Sequence, residues 1–98
     1  MKRDPGGSIW RVIHSPIFET AFYRTFATNF RDDGLTAVEW VETQIKVLGP
    51  RGAGAQHPGN PEMWIIQTPR GLYPFRAQFM YLIDDGAKSV TIFSVRLL

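Results

Sequence analysis

Arg76 and Gln78 stand two residues apart in a run, Phe75-Arg76-Ala77-Gln78-Phe79-Met80-Tyr81, in which side chains alternate in character. A strand turns successive side chains to opposite faces, so Arg76, Gln78 and Met80 share one face and Phe75, Ala77, Phe79 and Tyr81 the other. An arginine on the open face of a sheet can grip phosphate or carboxylate through two parallel N–H bonds. Arg96, near the end of the run Val90 to Arg96, is a second cation of this kind. Arginine dominates the basic set: beyond the first three positions the lysines are Lys46 and Lys88. For proton transfer the candidates are Tyr73, near a strand end, and His57, whose ordinary pKa lies close to neutrality. Lys46, Arg51 and Arg70 are further cations able to meet a polyanion. Trp64, Tyr73 and Arg70 could also stack bases as single-strand binders do, although the apolar strand around Trp64 makes it a core residue first.

Other chemistry-bearing residues have structural duties. Tyr81 shares its parity with Phe79 and Phe75, which assigns it to the core. His14, on a face with Trp10 and Val12, reads as a half-buried residue with a partner. Glu19, Glu39 and Glu42 do not make a hydrolase, since a capping box accounts for Glu39.

The elements that must position these groups follow from pattern. Ile9 to His14 fits a strand with Trp10, Val12 and His14 on one face. Ser15-Pro16 opens a helix, because serine can cap free amides and proline at the first helical position forfeits no hydrogen bond. Phe18, Phe22, Phe26 and Phe30 recur every fourth residue as its apolar stripe. Asp32-Asp33-Gly34 is expected to break that helix. A second should open at Thr36, where Thr36-Ala37-Val38-Glu39 matches a capping box, and bury Val38, Val41, Ile45 and Leu48 before Gly49-Pro50 ends it. Residues 49–61 read as a long open loop rich in Gly, Pro and Ala. Met63 to Gln67 is then a strand, Thr68 to Gly71 a turn, and Tyr73 to Ile83 a long strand interrupted near Pro74. Asp84-Asp85-Gly86 closes a hairpin onto Val90 to Val95. The apolar end, Val95 to Leu98, is expected on an edge or near-edge strand that something covers. The order strand, helix, helix, three strands predicts an α+β domain with one antiparallel sheet packed on a helical hairpin.

Ninety-eight residues suffice for one domain, placed at 9–98 behind a flexible head at 1–8. The 44% hydrophobic content argues against disorder. No run of about 20 apolar residues is present to span a bilayer, and the opening residues have no apolar signal-peptide core, so the expectation is a soluble, cytoplasmic chain without membrane contact. With no cysteine and two distant histidines, neither disulfides nor a zinc site is expected. The net charge of +2 is too small to decide for nucleic acid by itself.

This order of elements resembles the RelE/ParE superfamily of bacterial toxins. The local echoes are Leu48-Gly49, Met63-Trp64-Ile65-Ile66-Gln67, Phe75-Arg76 with the strand to Asp85, Ile83-Asp84-Asp85-Gly86, and Val90 to Arg96. HigB-like branches place a Trp-bearing strand, a Tyr-Arg strand and a Val-Asp-Gly turn in this order. The resemblance implies the toxin of a type II toxin–antitoxin system, held silent by a cognate antitoxin. It implies translation inhibited by messenger RNA cleavage at the ribosome or, in the ParE-like alternative, DNA gyrase inhibited without cutting; a repurposed member would only bind protein. RelE-like cleavage uses the RNA 2′-hydroxyl and needs no metal or cofactor, only a proton acceptor, a proton donor and cations for the crowded phosphate. On this reading Arg76, Arg96, Tyr73 and His57 form the catalytic set, while Lys46, Arg51, Arg70 and Gln78 contact nucleic acid. A homodimer or toxin–antitoxin hetero-oligomer is the implied assembly. The chain departs from the pattern at Leu97 and Leu98, where further basic residues belong, and in the scarcity of lysines around the second helix.

Overall fold

Ser15 accepts a hydrogen bond from the Phe18 amide at 3.0 Å, and Pro16 occupies the first helical position. In this computed structural model, which describes residues 9–26 and 30–98, that cap opens α1 (Pro16–Thr25) directly after β1 (Arg11–His14). The chain continues through α2 (Arg31–Leu48), α3 (Pro50–Ala53), β2 (Ala55–His57), β3 (Asn60–Gln67), β4 (Ala77–Asp84) and β5 (Ser89–Leu97). The expected head at 1–8 lies outside the described residues.

The five strands form one sheet in the order β1-β5-β4-β3-β2. All neighbours are antiparallel except β1 and β5, which run parallel. The sheet is therefore mixed, a correction to the all-antiparallel expectation: parallel partners need a long crossover, and the whole chain from α1 to β4 supplies it. The domain is α+β, with α1 and α2 on one face. Phe18, Phe22, Phe26, Val38, Val41 and Ile45 from the helices meet Ile66, Phe79, Tyr81, Val90, Ile92 and Val95 from the sheet. No helix among the described residues is long and apolar enough to cross a membrane.

Two expectations about the helices are overturned. Asp32, Asp33 and Gly34 do not break a helix but lie in the first turns of α2, where the two carboxylates suit the positive end of the helix dipole. Thr36 is inside that helix and its hydroxyl donates to the Asp32 carbonyl at 3.0 Å, so there is no capping box. Gly34 is present for space: a Cβ there would meet Phe26 Cγ at 2.6 Å. Leu48, assigned to the buried stripe, is 54% exposed.

The stretch 49–61 is likewise no open loop. Gly49 ends α2 at φ +79°, Pro50 starts the short α3, and β2 hydrogen-bonds to β3 as an edge strand. One buried contact holds this segment down, the Tyr81 hydroxyl donating to the Pro50 carbonyl at 2.6 Å. Burial pushes the Tyr81 phenol up to about 12. With the folded value above the ordinary 10.0, stability linked to this proton is fully present below pH 10 and is lost as pH rises through about 12. Tyr81→Phe should cost about 1–2 kcal/mol at pH 8, measured by urea unfolding, because the Pro50 carbonyl loses its donor. The same variant should decline less steeply than wild type between pH 10 and 12; equal slopes would contradict the assignment.

In β5, Met80 pairs with Ser94 but Tyr81 with Ile92, leaving Phe93 as an extra residue. This bulge shifts the alternation by one. Val90 and Ile92 before it and Val95 after it all reach the buried face, an arrangement that strict alternation forbids. β5 is an inner strand over Ser89–Ile92, where β1 pairs with it, and loses that neighbour beyond.

Candidate functional site

The face of the sheet opposite the helices carries no further layer among the described residues. Register places Gln67, Gln78 and Arg96 in one row across β3, β4 and β5. With adjacent strands about 4.8 Å apart, the row spans about 10 Å. Arg76 stands one residue before β4, which begins at Ala77 rather than at Tyr73 as expected. Its backbone is nonetheless fixed: the Leu98 amide donates to the Arg76 carbonyl at 2.9 Å, and the next residue is clamped by buried Thr68. There the Thr68 amide donates to the Ala77 carbonyl and the Ala77 amide to Thr68 Oγ1, each at 2.9 Å.

The side chains make a directed chain of contacts. Arg76 Nη2 donates to Gln67 Oε1 at 3.1 Å, and Gln67 Nε2 donates to Gln78 Oε1 at 3.1 Å. Arg76 Nε is buried and has no acceptor among the described residues. Arg96 is exposed, opposite Gln78, with no ion pair among the described residues. One end of the open face thus gathers two guanidinium groups and two amides. Arg76, Gln78 and Arg96, selected from sequence, come together here. Gln67 completes the set and was missed, although its place at the end of a strand pairing with Gln78 was the available signal.

The other candidates lie elsewhere. Tyr73 is on the helix side, stacked on Phe75 at 5.7 Å between centroids, and its hydroxyl donates to the Thr36 carbonyl at 3.3 Å. Burial, then the carboxylates of Glu39 and Asp33, pushes its phenol up, so it stays protonated. His57 belongs to β2, where its Nδ1 accepts from the Gly59 amide at 2.9 Å. It pairs with Asn60, seven residues along β3 from Gln67 and therefore about 23 Å away. Arg51 donates through both terminal nitrogens to Asp85, at 3.0 and 2.8 Å, beyond the far end of β4 from Arg76. That hydrogen bond holds the Asp85 carboxyl below the usual range and raises Arg51. The pair borders a groove of about 640 Å³ walled by Trp64, Glu62 and Asp84. Lys46 occupies the last turn of α2, and Arg70 is exposed in the connection before β4. Trp64 packs against the core, in keeping with its apolar strand.

His14 does have a partner: its Nε2 lies 2.6 Å from a Glu42 carboxylate oxygen, tying β1 to α2. Both side chains are about one-third exposed or less, at 32% and 27%, and the contact is structural. Among the described residues no group of three or more His, Asp or Glu is placed to hold a metal ion.

No protein-family model matches the chain, and a search of curated proteins returns no match.

Proposed function

We propose that this protein is the toxin component of a type II toxin–antitoxin system, of the RelE/ParE kind, and that it inhibits translation by acting on messenger RNA at the ribosome. The observation carrying this reading is the convergence of Arg76 and Arg96 at one end of the open face with Gln67 and Gln78, backed by an Arg76 Nε that lacks an acceptor among the described residues. Two guanidinium groups at the same end of neighbouring strands, one just before β4 and one on β5, suit the phosphates of a single strand. In RNA cleavage their work is to hold the phosphodiester and offset the charge that builds as the 2′-hydroxyl attacks. Nothing in that role requires a bound metal.

A second reading is a toxin that binds DNA gyrase without cutting. The placement of the two proton-transfer candidates favours it: Tyr73 is engaged with α2 and His57 is about 23 Å along the sheet. In both readings a cognate antitoxin covers the same open face. The fold order and the mixed sheet, in which the last strand runs parallel beside the first, are compatible with either.

Binding to a short single-stranded RNA, followed by fluorescence anisotropy across a salt series, tests the first reading. Each lost phosphate contact lowers the salt slope by roughly 0.7, so Arg76→Ala with Arg96→Ala should lower it by about 1.4 and weaken binding. A double variant that binds with wild-type affinity and slope contradicts the assignment.

A further inference from the structure

The contacts around Arg76 have a fixed direction. A guanidinium can only donate, so the Gln67 oxygen must face Arg76. That turns the Gln67 amide nitrogen toward β4, where it donates to Gln78 Oε1 at 3.1 Å. The Gln78 oxygen is thereby used as well, and its Nε2 has no acceptor among the described residues. Both amide oxygens are turned into the row, each accepting one bond there. What remains unpaired is donors alone: Gln78 Nε2, the remaining N–H groups of Arg76, and Arg96.

We infer that Gln67 and Gln78 are positioning and specificity residues that hold the Arg76 fork and turn their amide oxygens into the row, so that the unpartnered groups at this end of the open face are N–H donors and it takes a phosphate oxyanion. This rests on the reading of the Arg76–Arg96 row as the target-binding site, and it adds how that site selects its ligand. Gln78 is 9% exposed, so its amide is held by the sheet rather than free to rotate in water. An amide free to turn would present an oxygen to the ligand half of the time, repelling an anion. Here the donor-only chemistry of Arg76 prevents the turn, two side chains away. The unsatisfied Arg76 Nε acts in the same sense. An oxyanion seated against the fork, with Gln67 still holding Nη2, can offer the acceptor this N–H lacks, which makes ligand binding relieve a cost already present in the free protein.

Two neutral, similarly sized substitutions test this, Gln78→Met and Gln67→Met, the second at an exposed position where folding is not at risk. Arginine Nε–H signals are followed by NMR while inorganic phosphate is added, and in a parallel arm while a short single-stranded RNA is added. In wild type, the Arg76 Nε–H signal should be sharp and should move in both arms. Each variant should broaden that signal before any ligand is added and weaken binding roughly tenfold, the loss of one hydrogen bond to a charged group. A merely structural amide would leave the arginine signal unchanged.

The outcomes separate the inference from the reading beneath it. If both methionine variants bind as wild type while Arg76→Ala does not, the amides are passive and the inference falls, with the site intact. If Arg76→Ala also binds as wild type, or wild type binds neither phosphate nor RNA, the site itself is wrongly placed and both fall. Response to RNA without response to inorganic phosphate would overturn selection by the oxyanion alone, since the bases would then be required.

Discussion

Gly54→Ala should lower the stability of this protein by about 3 kcal/mol, read as a shift in urea midpoint, which is the upper end of what one added methyl group does in a packed site. A Cβ at this position would lie 2.4 Å from the Ile65 carbonyl oxygen and 2.5 Å from the Tyr81 hydroxyl. Neither neighbour can yield. The Ile65 carbonyl belongs to β3, held between β2 and β4, and the Tyr81 hydroxyl is committed to the Pro50 carbonyl. Relief would require β2 to leave the sheet. Backbone conformation is not the cause, because Gly54 has φ −135°, which any residue adopts. Gly52→Ala is the control: its nearest contact would be an ordinary 3.5 Å to Leu48 Cβ, and its midpoint should stay near wild type. Equal midpoints for the two variants would mean that α3 and β2 do not pack as described.

Arg76→Ala should abolish growth inhibition when the chain is induced without an antitoxin. Its backbone hydrogen bonds to Leu98 and the Thr68 clamp on Ala77 do not involve the side chain, so the variant keeps its fold. What goes is a fork that the Gln67 amide holds at 3.1 Å, beside Arg96. Losing a charge-assisted contact of this kind costs about 3 kcal/mol, roughly a hundredfold in affinity or rate. Arg51→Ala, which breaks only the exposed pair with Asp85 at the far end of β4, should leave inhibition intact. Colony counts under induction compare the three, with circular dichroism confirming that each is folded. Undiminished inhibition by Arg76→Ala would place the working surface elsewhere.

Much of the fold was legible because short-range chemistry decided it. Ser15-Pro16 could hardly do anything but start a helix, and period-two alternation placed Phe79 and Tyr81 on the buried face. The misreadings share a cause, tertiary contact outweighing local preference. Gly34 looks like a breaker, yet it is the only residue type that lets α2 approach the Phe26 ring. Pro50 and the glycines after it look like open loop, yet the Tyr81 hydroxyl, 31 positions away, fastens them into α3. At the β4–β5 turn the left-handed position is occupied by Lys88, at φ 53°, rather than by Gly86, and Lys88 Nζ lies 5.3 Å from the Trp10 ring centroid. The parallel β1–β5 pair carries no local signature at all.

The candidate site was half legible for the same reason. Parity alone put Arg76 beside Gln78 on the open face, and Arg96 joined them once the Phe93 bulge had reset the phase of β5. Without that bulge Arg96 would face the helices. Gln67 could be found only from the register between β3 and β4, which no window of sequence contains. Tyr73 and His57 were chosen for their chemistry, and the fold uses one to brace α2 and the other to shape the β2–β3 turn.

The most direct test of the central claim is the mapping of transcript 5′ ends after brief induction of the wild-type chain, with DNA gyrase supercoiling assayed from the same cultures. Translation inhibition through messenger RNA should produce new 5′ ends within translated codons, absent from the Arg76→Ala strain, while supercoiling continues. Arrested supercoiling without new ends would contradict action on RNA and leave the gyrase-binding reading; unimpaired growth with neither change would contradict a toxin altogether.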